Sequence, residues 1–207
     1  GETVSIINKK INTTEDLIKG IININNIQLI FFDTPGINFI KDSNNKNHKF
    51  KKNLWAGLND SDLILFLIDS YKFSLKETII SCKKLLELKK EILIIFNKND
   101  LIDKKKLLPE IKKIDNELGI KSFFTISAKF NHGIDYLKKH LLNKSYPSKW
   151  IYNDDEVTNK DQLFITNECT RNAVLSVLHK EIPYNLKIIN KSFIRLKNGD
   201  LKIKQEI

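Results

Sequence analysis

The sequence lacks the features that mark membrane-spanning proteins, secreted proteins and cysteine-based metal sites. Its longest continuous apolar run, residues 63–68, has the length of a β-strand and is far too short for a membrane-spanning helix. A cationic start followed by an apolar segment and a cleavage site is also missing, so the sequence does not indicate secretion. The two cysteines, Cys82 and Cys169, lie far apart and show neither metal-binding nor redox spacing. We therefore expect a cytoplasmic protein with reduced thiols.

Methionine is missing and arginine is rare, although the chain is strongly basic. The sequence contains no methionine and only two arginines, Arg171 and Arg195, yet its net charge is +10. Lysine supplies the rest of the positive charge and is spread along the chain, and most of the excess lies before residue 145. This charge therefore does not by itself identify a segment that binds nucleic acid.

The two ends of the sequence have the pattern of an internal fragment of a longer protein. The first residue is Gly1 and not methionine. The last residues, 201–207, alternate apolar and polar side chains as a strand does, and no partner strand follows them. We therefore expect that the chain is truncated at both ends.

Apolar runs of strand length alternate with helical patterns through the first two thirds of the chain. Runs that are apolar on both faces are typical of a parallel sheet covered by helices, and Gly119 and Gly133 are predicted to mark a helix end and a helix start. The pattern predicts an α/β fold with a doubly wound, mostly parallel sheet, apart from one antiparallel hairpin that turns at Asn25 and Asn26. The predicted strands are residues 27–32, 62–68, 91–96 and 122–127, and the predicted helices are residues 75–90, 105–119 and 133–142.

A second, smaller domain is predicted after residue 144. Residues 145–160 contain a run of acidic side chains and no periodicity, which is typical of a linker. Residues 161–182 form one long amphipathic pattern that stops before Pro183, and two predicted strands follow around a Lys-Asn-Gly-Asp turn. The predicted organisation is an α/β domain over residues 1–144, a linker over 145–160 and a partial α+β domain over 161–207.

Three short polar peptides follow three of the predicted strands, at the edge of the sheet where α/β proteins bind ligands. They are Asp-Thr-Pro-Gly after residues 27–32, Asn-Lys-Asn-Asp after residues 91–96 and Ser-Ala-Lys within and after residues 122–127. Each has a simpler explanation when it stands alone, since the first is favourable turn chemistry and the others can arise by chance. Their order and spacing, however, resemble those of the GTPase domains of translation factors.

This resemblance implies a role for each peptide. In such domains the aspartate of the first peptide holds magnesium through water, its glycine amide faces the γ-phosphate, and the other two peptides grip guanine. The resemblance implies that Asp100 accepts two hydrogen bonds from guanine while Lys98 lies along the ring. It also implies that Asn97 joins the neighbouring loops and that the Ala128 amide meets the base carbonyl. The predicted GTP-binding residues are Asp33, Thr34, Pro35, Gly36, Ile37, Asn97, Lys98, Asn99, Asp100, Ser127, Ala128 and Lys129.

The same resemblance implies the catalytic and magnesium-binding residues. Thr13 and Thr14 stand where such domains place the switch threonine that binds magnesium when GTP is present, and Thr14 is the predicted ligand. The predicted magnesium residues are therefore Thr14 and Asp33, and the predicted catalytic residues are Thr14 and Gly36. Ile37 occupies the position at which Ras-like GTPases have a glutamine that orients water. Because an apolar side chain cannot orient water, we expect slow intrinsic hydrolysis.

A longer set of peptides resembles one family in particular. The stretches NTTEDLIKGI, FFDTPGI, FNKND and ISAK precede DDEVTNKDQLFITNECTRNAVLSVLHKEIPYNLKI, and together they resemble the Era family of bacterial GTPases, which carry a KH-type RNA-binding tail. The resemblance covers essentially the whole chain. It implies a monomeric ribosome-assembly factor that binds GTP, GDP and Mg²⁺, with small-subunit ribosomal RNA and the small ribosomal subunit as partners. It also implies a cytoplasmic location with peripheral contact to the inner membrane.

Two motifs of that family are missing from the sequence. It contains neither the phosphate-binding G-x-x-x-x-G-K-[ST] loop nor the RNA-clamping G-x-x-G loop of KH domains. We therefore expect that the intact protein hydrolyses GTP, and that this chain binds nucleotide and RNA less well than the intact protein does. The sequence leaves two alternatives open. One is a related GTPase of tRNA modification or large-subunit assembly, and the other is an inactive, truncated remnant that associates with RNA.

Overall fold

Two compact units make up the part of the chain that the structure, a computed structural model, describes. The described residues are 17–34, 48–177 and 186–207. One unit spans residues 36–149, and the other combines residues 1–35 with residues 150–207. Among the described helices, none is long and apolar enough to cross a bilayer.

The unit spanning residues 36–149 is built on a three-stranded parallel sheet. Its strands are β3 (Leu63–Asp69), β4 (Glu91–Asn97) and β5 (Phe123–Thr125), in the spatial order β3-β4-β5. Five consecutive residues of β4, 92–96, are buried, as expected for a central strand with both faces covered. The helices of this unit are α1 (His48–Asp60), α2 (Leu75–Leu86), α3 (Leu107–Leu118) and α4 (Ile134–Asn143). The predicted α/β fold with a parallel sheet is confirmed.

The core of this unit lies around β4. Phe96 is fully buried, and its ring meets that of Phe73 edge to face at 5.4 Å between centroids. Burial raises the pKa of the Cys82 thiol to about 12, so this thiol stays protonated and packs as an apolar group. The buried cluster comprises Leu54, Leu58, Ile64, Ile68, Cys82, Leu85, Ile92, Ile94, Phe96, Leu107, Ile114 and Ile120.

Helix ends in this unit follow local sequence signals. The Ser74 hydroxyl accepts a hydrogen bond from the Glu77 N–H and caps the start of α2. Gly119 ends α3 in the left-handed conformation at φ 66°, and its N–H donates to the Asp115 carbonyl. Gly133 precedes α4 at φ 74°. The predicted roles of both glycines, as a helix end and a helix start, are confirmed.

Replacing Gly133 by alanine is expected to destabilise the protein more than replacing Gly119. Both glycines have positive φ, but a Cβ at Gly133 would lie 2.7 Å from the Thr125 carbonyl oxygen, whereas a Cβ at Gly119 meets nothing within 4 Å. We expect Gly119→Ala to lower the free energy of unfolding by about 1 kcal/mol and Gly133→Ala by about 2 kcal/mol or more. Urea denaturation of both variants measures the difference, and equal losses would show that the close approach to Thr125 is unimportant.

The other unit contains the predicted hairpin. Strands β1 (Ile18–Ile24) and β2 (Ile27–Asp33) pair antiparallel, and Asn25 turns the chain at φ 53°. The hairpin is therefore confirmed. Residues 27–32 were predicted as a strand of the mostly parallel sheet, whereas β2 pairs only with β1 among the described residues, in a two-stranded sheet.

Residues 150–159 lie along this hairpin, a contact that the sequence did not indicate. The Ile21 N–H donates to the Val157 carbonyl at 2.9 Å, and the Lys19 N–H donates to Asn159 Oδ1 at 2.8 Å. The side-chain oxygen of Gln28 accepts from the backbone N–H groups of Ile151 and Tyr152. Residues 145–160 contain no helix or strand beyond one isolated bridge residue, and their role as an interdomain linker stays a prediction.

The last part of this unit consists of a helix and two strands. Helix α5 (Gln162–Val177) is followed by β6 (Ile189–Arg195) and β7 (Leu201–Glu206), which pair antiparallel with an irregularity between Asn190 and Ser192. The long helix and the two strands around the Lys-Asn-Gly-Asp turn are confirmed in these ranges. The predicted continuation of the helix to residue 182 and its stop at Pro183 lie outside the described residues.

Helix α1 was not predicted from the sequence. The apolar residues Phe50, Leu54 and Leu58 recur at helical spacing, so a local signal for this helix was present in the sequence. Leu54 and Leu58 are buried in the core, and Trp55 packs against it.

Candidate nucleotide-binding site

Two of the predicted motifs lie at the carboxyl ends of adjacent parallel strands. Asn97 is the last residue of β4, and Asn99–Leu101 form a 3₁₀ turn directly after it. Ser127, Ala128 and Lys129 come just after β5, whose Thr125 pairs with Phe96 of β4. The pairing of β4 with β5 thus places the two loops side by side, at the edge where α/β sheets bind ligands.

Hydrogen bonds join these two loops. Asn97 Oδ1 accepts from the Ala128 N–H at 3.0 Å and from the Lys98 N–H at 2.8 Å. The Asn99 N–H donates to the Ile126 carbonyl at 3.0 Å. A single carboxamide oxygen therefore contacts both loops, and the backbone hydrogen bond between Asn99 and Ile126 joins the same two loops.

Ser127 anchors the second loop from inside. It is fully buried, and its backbone exchanges two hydrogen bonds with His132, at 3.0 and 3.1 Å. Its hydroxyl accepts from the Phe130 N–H at 3.4 Å. The residues between Ser127 and His132 thus form a closed turn, and Ala128 and Lys129 lie exposed on it.

Replacing Asn97 by alanine is expected to loosen the loop junction. The change removes the shared acceptor of two backbone N–H groups, and we expect the free energy of unfolding to fall by about 1–2 kcal/mol. Asn97→Asp keeps an acceptor oxygen at that place and serves as the matched control, with a smaller loss expected. Urea denaturation compares the two variants, and an unchanged free energy of unfolding in Asn97→Ala would rule out a stabilising role for this junction.

Lys98 forms an ion pair with Asp69 at the end of the neighbouring strand. The Lys98 backbone is left-handed at φ 62°, and its Nζ lies 2.6 Å from Asp69 Oδ2. Burial tends to raise the pKa of Asp69, but hydrogen bonds from Lys98 and the Tyr71 N–H, together with the Lys98 charge, lower it below its ordinary value. The Asp69 carboxylate therefore stays ionised beside the Lys98 ammonium at neutral pH.

Asp100 and Asn99 differ in exposure although they are adjacent. Asp100 is exposed, and its carboxylate makes no hydrogen bond or ion pair among the described residues. Asn99 is buried at 3% exposure, and its Oδ1 has no partner within the described parts of the chain. The loop therefore presents one accessible carboxylate with two acceptor oxygens beside the Ser127 loop.

The donor set next to Asp100 differs in one detail from what the resemblance implies. The Ala128 N–H, which the resemblance directs at a base carbonyl, donates to Asn97 Oδ1. The exposed Lys129 follows it, and its backbone N–H makes no hydrogen bond among the described residues. An accessible acceptor at Asp100 and an open N–H on the adjacent loop fit a guanine edge, which offers two donors and one acceptor. The assignment of Ala128 to the base carbonyl stays a prediction.

The residues predicted to serve phosphate and magnesium belong to the other compact unit or fall outside the described ranges. Asp33 is exposed at the end of β2, and Thr34 follows it. The remaining predicted residues, Thr14, Pro35, Gly36 and Ile37, as well as the alternative Thr13, lie outside the described residues. Their roles therefore stay predictions, as does magnesium binding by Asp33. Among the residues that the structure describes, no group of three His, Cys, Asp or Glu side chains is arranged to hold a metal ion.

Asp69 is the residue at this site that the sequence analysis missed. Its position in the sequence could have identified it, because Asp69 ends the apolar run of β3. In the structure it pairs in register with Asn97 of β4. The carboxyl end of the strand next to β4 belongs to the edge where α/β sheets bind ligands. An acidic residue at that position could therefore have been recognised from the sequence as a site residue.

A parallel sheet that carries Asn-Lys-x-Asp and Ser-Ala-Lys loops on adjacent strand ends is the fold and base site of the GTPase class. Residues 1–98 match a family model described as 50S ribosome-binding GTPase. GTPase Era of Rickettsia typhi is 35% identical over 212 residues, which span all of this chain and 69% of that protein. GTPase Era of Bradyrhizobium sp. strain ORS 278 is 30% identical, over the whole chain and 67% of that protein. The chain belongs to the GTPase Era family.

Solved structures of Era have the same fold. A crystal structure of Era in complex with MgGDPNP and nucleotides 1506–1542 of 16S ribosomal RNA matches 98% of this chain and 69% of that chain, with a TM-score of 0.79 and 26% identity. A variant of Aquifex aeolicus Era bound to GDP·AlF₄⁻ matches the same shares of both chains, with a TM-score of 0.79 and 25% identity. The fold assignment thus extends over nearly all of the chain.

Proposed function

We propose that the intact protein binds GTP and GDP with Mg²⁺, hydrolyses GTP, and acts on the small ribosomal subunit by binding its RNA. The observation that carries this proposal is the pair of joined loops at the ends of β4 and β5. They bring Asn97, Lys98, Asp100 and the Ser-Ala-Lys turn to one edge of the sheet. The similarity of the whole chain to GTPase Era proteins supports the same conclusion.

Recognition of guanine follows from the chemistry of the exposed carboxylate. Asp100 presents two acceptor oxygens, which match the ring N–H and the amino group on one edge of guanine. Adenine offers no such pair of donors at that place. The Lys98 stem covers the ring from one side, and a backbone N–H of the Ser-Ala-Lys turn donates to the base carbonyl. Selectivity for guanine therefore resides in these loops.

In this proposal the phosphates and magnesium are bound by the residues that the family resemblance predicts. Asp33 and Thr14 would hold magnesium, which neutralises charge on the phosphates when bound, and the Gly36 amide would face the γ-phosphate. Thr34, Pro35 and Ile37 complete this loop. Because Ile37 cannot orient a water molecule, the proposed intrinsic hydrolysis is slow.

RNA binding is assigned to residues 161–207. The helix–strand–strand order of α5, β6 and β7 agrees with a partial KH-type domain. Era in complex with a 16S ribosomal RNA segment supports small-subunit RNA as the partner. We further propose, on the family resemblance, a monomer in the cytoplasm that contacts the inner membrane peripherally.

A second candidate function is large-subunit assembly. The family model that matches residues 1–98 is described as 50S ribosome-binding GTPase, and this description favours that alternative. The model, however, covers less than half of the chain, whereas the Era proteins match all of it.

Co-sedimentation of the intact protein with purified ribosomal subunits separates the two candidates. In the presence of Mg²⁺ and a non-hydrolysable GTP analogue, we expect the protein to sediment with small subunits and not with large subunits. GTP hydrolysis by the same preparation, measured as phosphate release, tests the enzymatic part. Binding to large subunits alone would favour the second candidate, and the absence of both nucleotide and subunit binding would contradict the proposed function.

A further inference from the structure

The Asp69 carboxylate is held in a fixed orientation beside the base-binding loop. Asp69 is the last residue of β3, directly in register with Asn97 of β4. Its Oδ1 accepts from the Tyr71 N–H at 3.0 Å and caps the 3₁₀ turn Ser70–Lys72. Its Oδ2 therefore remains for Lys98, whose Nζ lies 2.6 Å away. One oxygen orients the carboxylate through the backbone, and the other meets the lysine.

The Lys98 side chain depends on this contact for its position. Its backbone is fixed at φ 62°, with its N–H on Asn97 Oδ1, so the start of the side chain is defined. The long stem otherwise has several freely rotating bonds, and ordering such a side chain on binding opposes association. The ion pair with Asp69 selects conformations of the stem before any ligand arrives.

The exposure of the pair argues against a mainly stabilising role. The Lys98 and Asp69 side chains are 52% and 28% exposed, and ion pairs of this exposure contribute little to folding stability. The ion pair between Lys83 and Glu117, for example, joins exposed residues of α2 and α3. The Asp69–Lys98 pair instead lies at the carboxyl edge of the sheet, beside the two joined loops.

We propose that Asp69 is a positioning residue for the guanine-nucleotide site, which holds the Lys98 side chain in the orientation that covers the base. This inference rests on the proposed function of the site. In this role Asp69 does not contact the base and acts only through Lys98.

Equilibrium binding of a fluorescent GDP analogue to the intact protein tests this role. Asp69→Asn keeps the oxygen that accepts from Tyr71 and replaces the oxygen that pairs with Lys98 by an uncharged NH₂ group, which cannot accept from the lysine. We expect Asp69→Asn to weaken GDP binding about threefold to tenfold, because the lysine must then be ordered on binding. In a Lys98→Ala background the same change should have no further effect. Glu117→Gln, which breaks the exposed pair with Lys83, is the matched control and should bind GDP as the wild type does.

The outcomes separate this inference from the function on which it rests. Unchanged GDP binding by Asp69→Asn, or an equal loss with and without Lys98, would overturn the positioning role. Non-additivity with Lys98→Ala is the result that a general structural role of Asp69 would not produce. If the wild type binds no GDP, or if Asp100→Asn binds GDP as the wild type does, the proposed function itself fails, and the inference fails with it.

Discussion

Asp100→Asn in the intact protein is expected to weaken GTP binding by about 30-fold to 150-fold. The substitution replaces a carboxylate acceptor by an amide, whose NH₂ group opposes the guanine donors, and the loss of a charge-assisted pair corresponds to about 2–3 kcal/mol. The variant should gain affinity for xanthine nucleotides, since xanthine presents a carbonyl where guanine has an amino group. Competition of GTP and XTP against a fluorescent nucleotide measures both changes.

Asp103→Asn provides the matched control for this prediction. Asp103 is exposed three residues after Asp100, and its Oδ1 accepts only from the Lys105 backbone N–H among the described residues. The same loss of one negative charge in this neighbourhood should leave GTP affinity and guanine selectivity unchanged. Equal effects of the two substitutions would show that general electrostatics, and not recognition by Asp100, underlies the loss.

Phe96→Ala is expected to lower the free energy of unfolding by about 3–5 kcal/mol, which is the effect of removing a large, fully buried aromatic side chain. Phe96 is 0% exposed near the carboxyl end of β4, and its ring packs against Phe73. The cavity would open directly before Asn97, the residue that joins the two loops. Urea denaturation followed by circular dichroism measures the loss.

Phe130→Ala is the control for the Phe96 substitution. Phe130 is 52% exposed, so its truncation removes the same number of atoms mainly from the surface. Its effect on the free energy of unfolding should stay below about 1 kcal/mol. A similar loss for Phe96 and Phe130 would contradict the placement of β4 at the centre of the core.

The central strands and the base-binding loops could be predicted because their signals are local. Residues 92–96 form an uninterrupted apolar run, which is typical of a strand covered on both faces, and the polar residues that end it mark the ligand edge. The hairpin turn at Asn25 was equally local, since asparagine tolerates the left-handed conformation found there.

The features that could not be predicted depend on contacts between distant parts of the chain. The ion pair between Asp69 and Lys98 joins residues 29 positions apart, and it exists because β3 and β4 pair in a particular register. Residues 150–159 contact the hairpin across more than 120 positions, through backbone groups that leave no pattern in the sequence. Tertiary packing therefore determines these features, and local side-chain patterns do not report it.

The most direct test of the guanine-site assignment is equilibrium binding of GDP and ADP to the wild-type intact protein in Mg²⁺. The two nucleotides carry the same sugar and phosphates, so any difference in affinity arises at the base. We predict that GDP binds at least about 100-fold more tightly than ADP, because only guanine satisfies the Asp100 carboxylate. Equal affinities of the two nucleotides would contradict the assignment of the β4 and β5 loops as a guanine site.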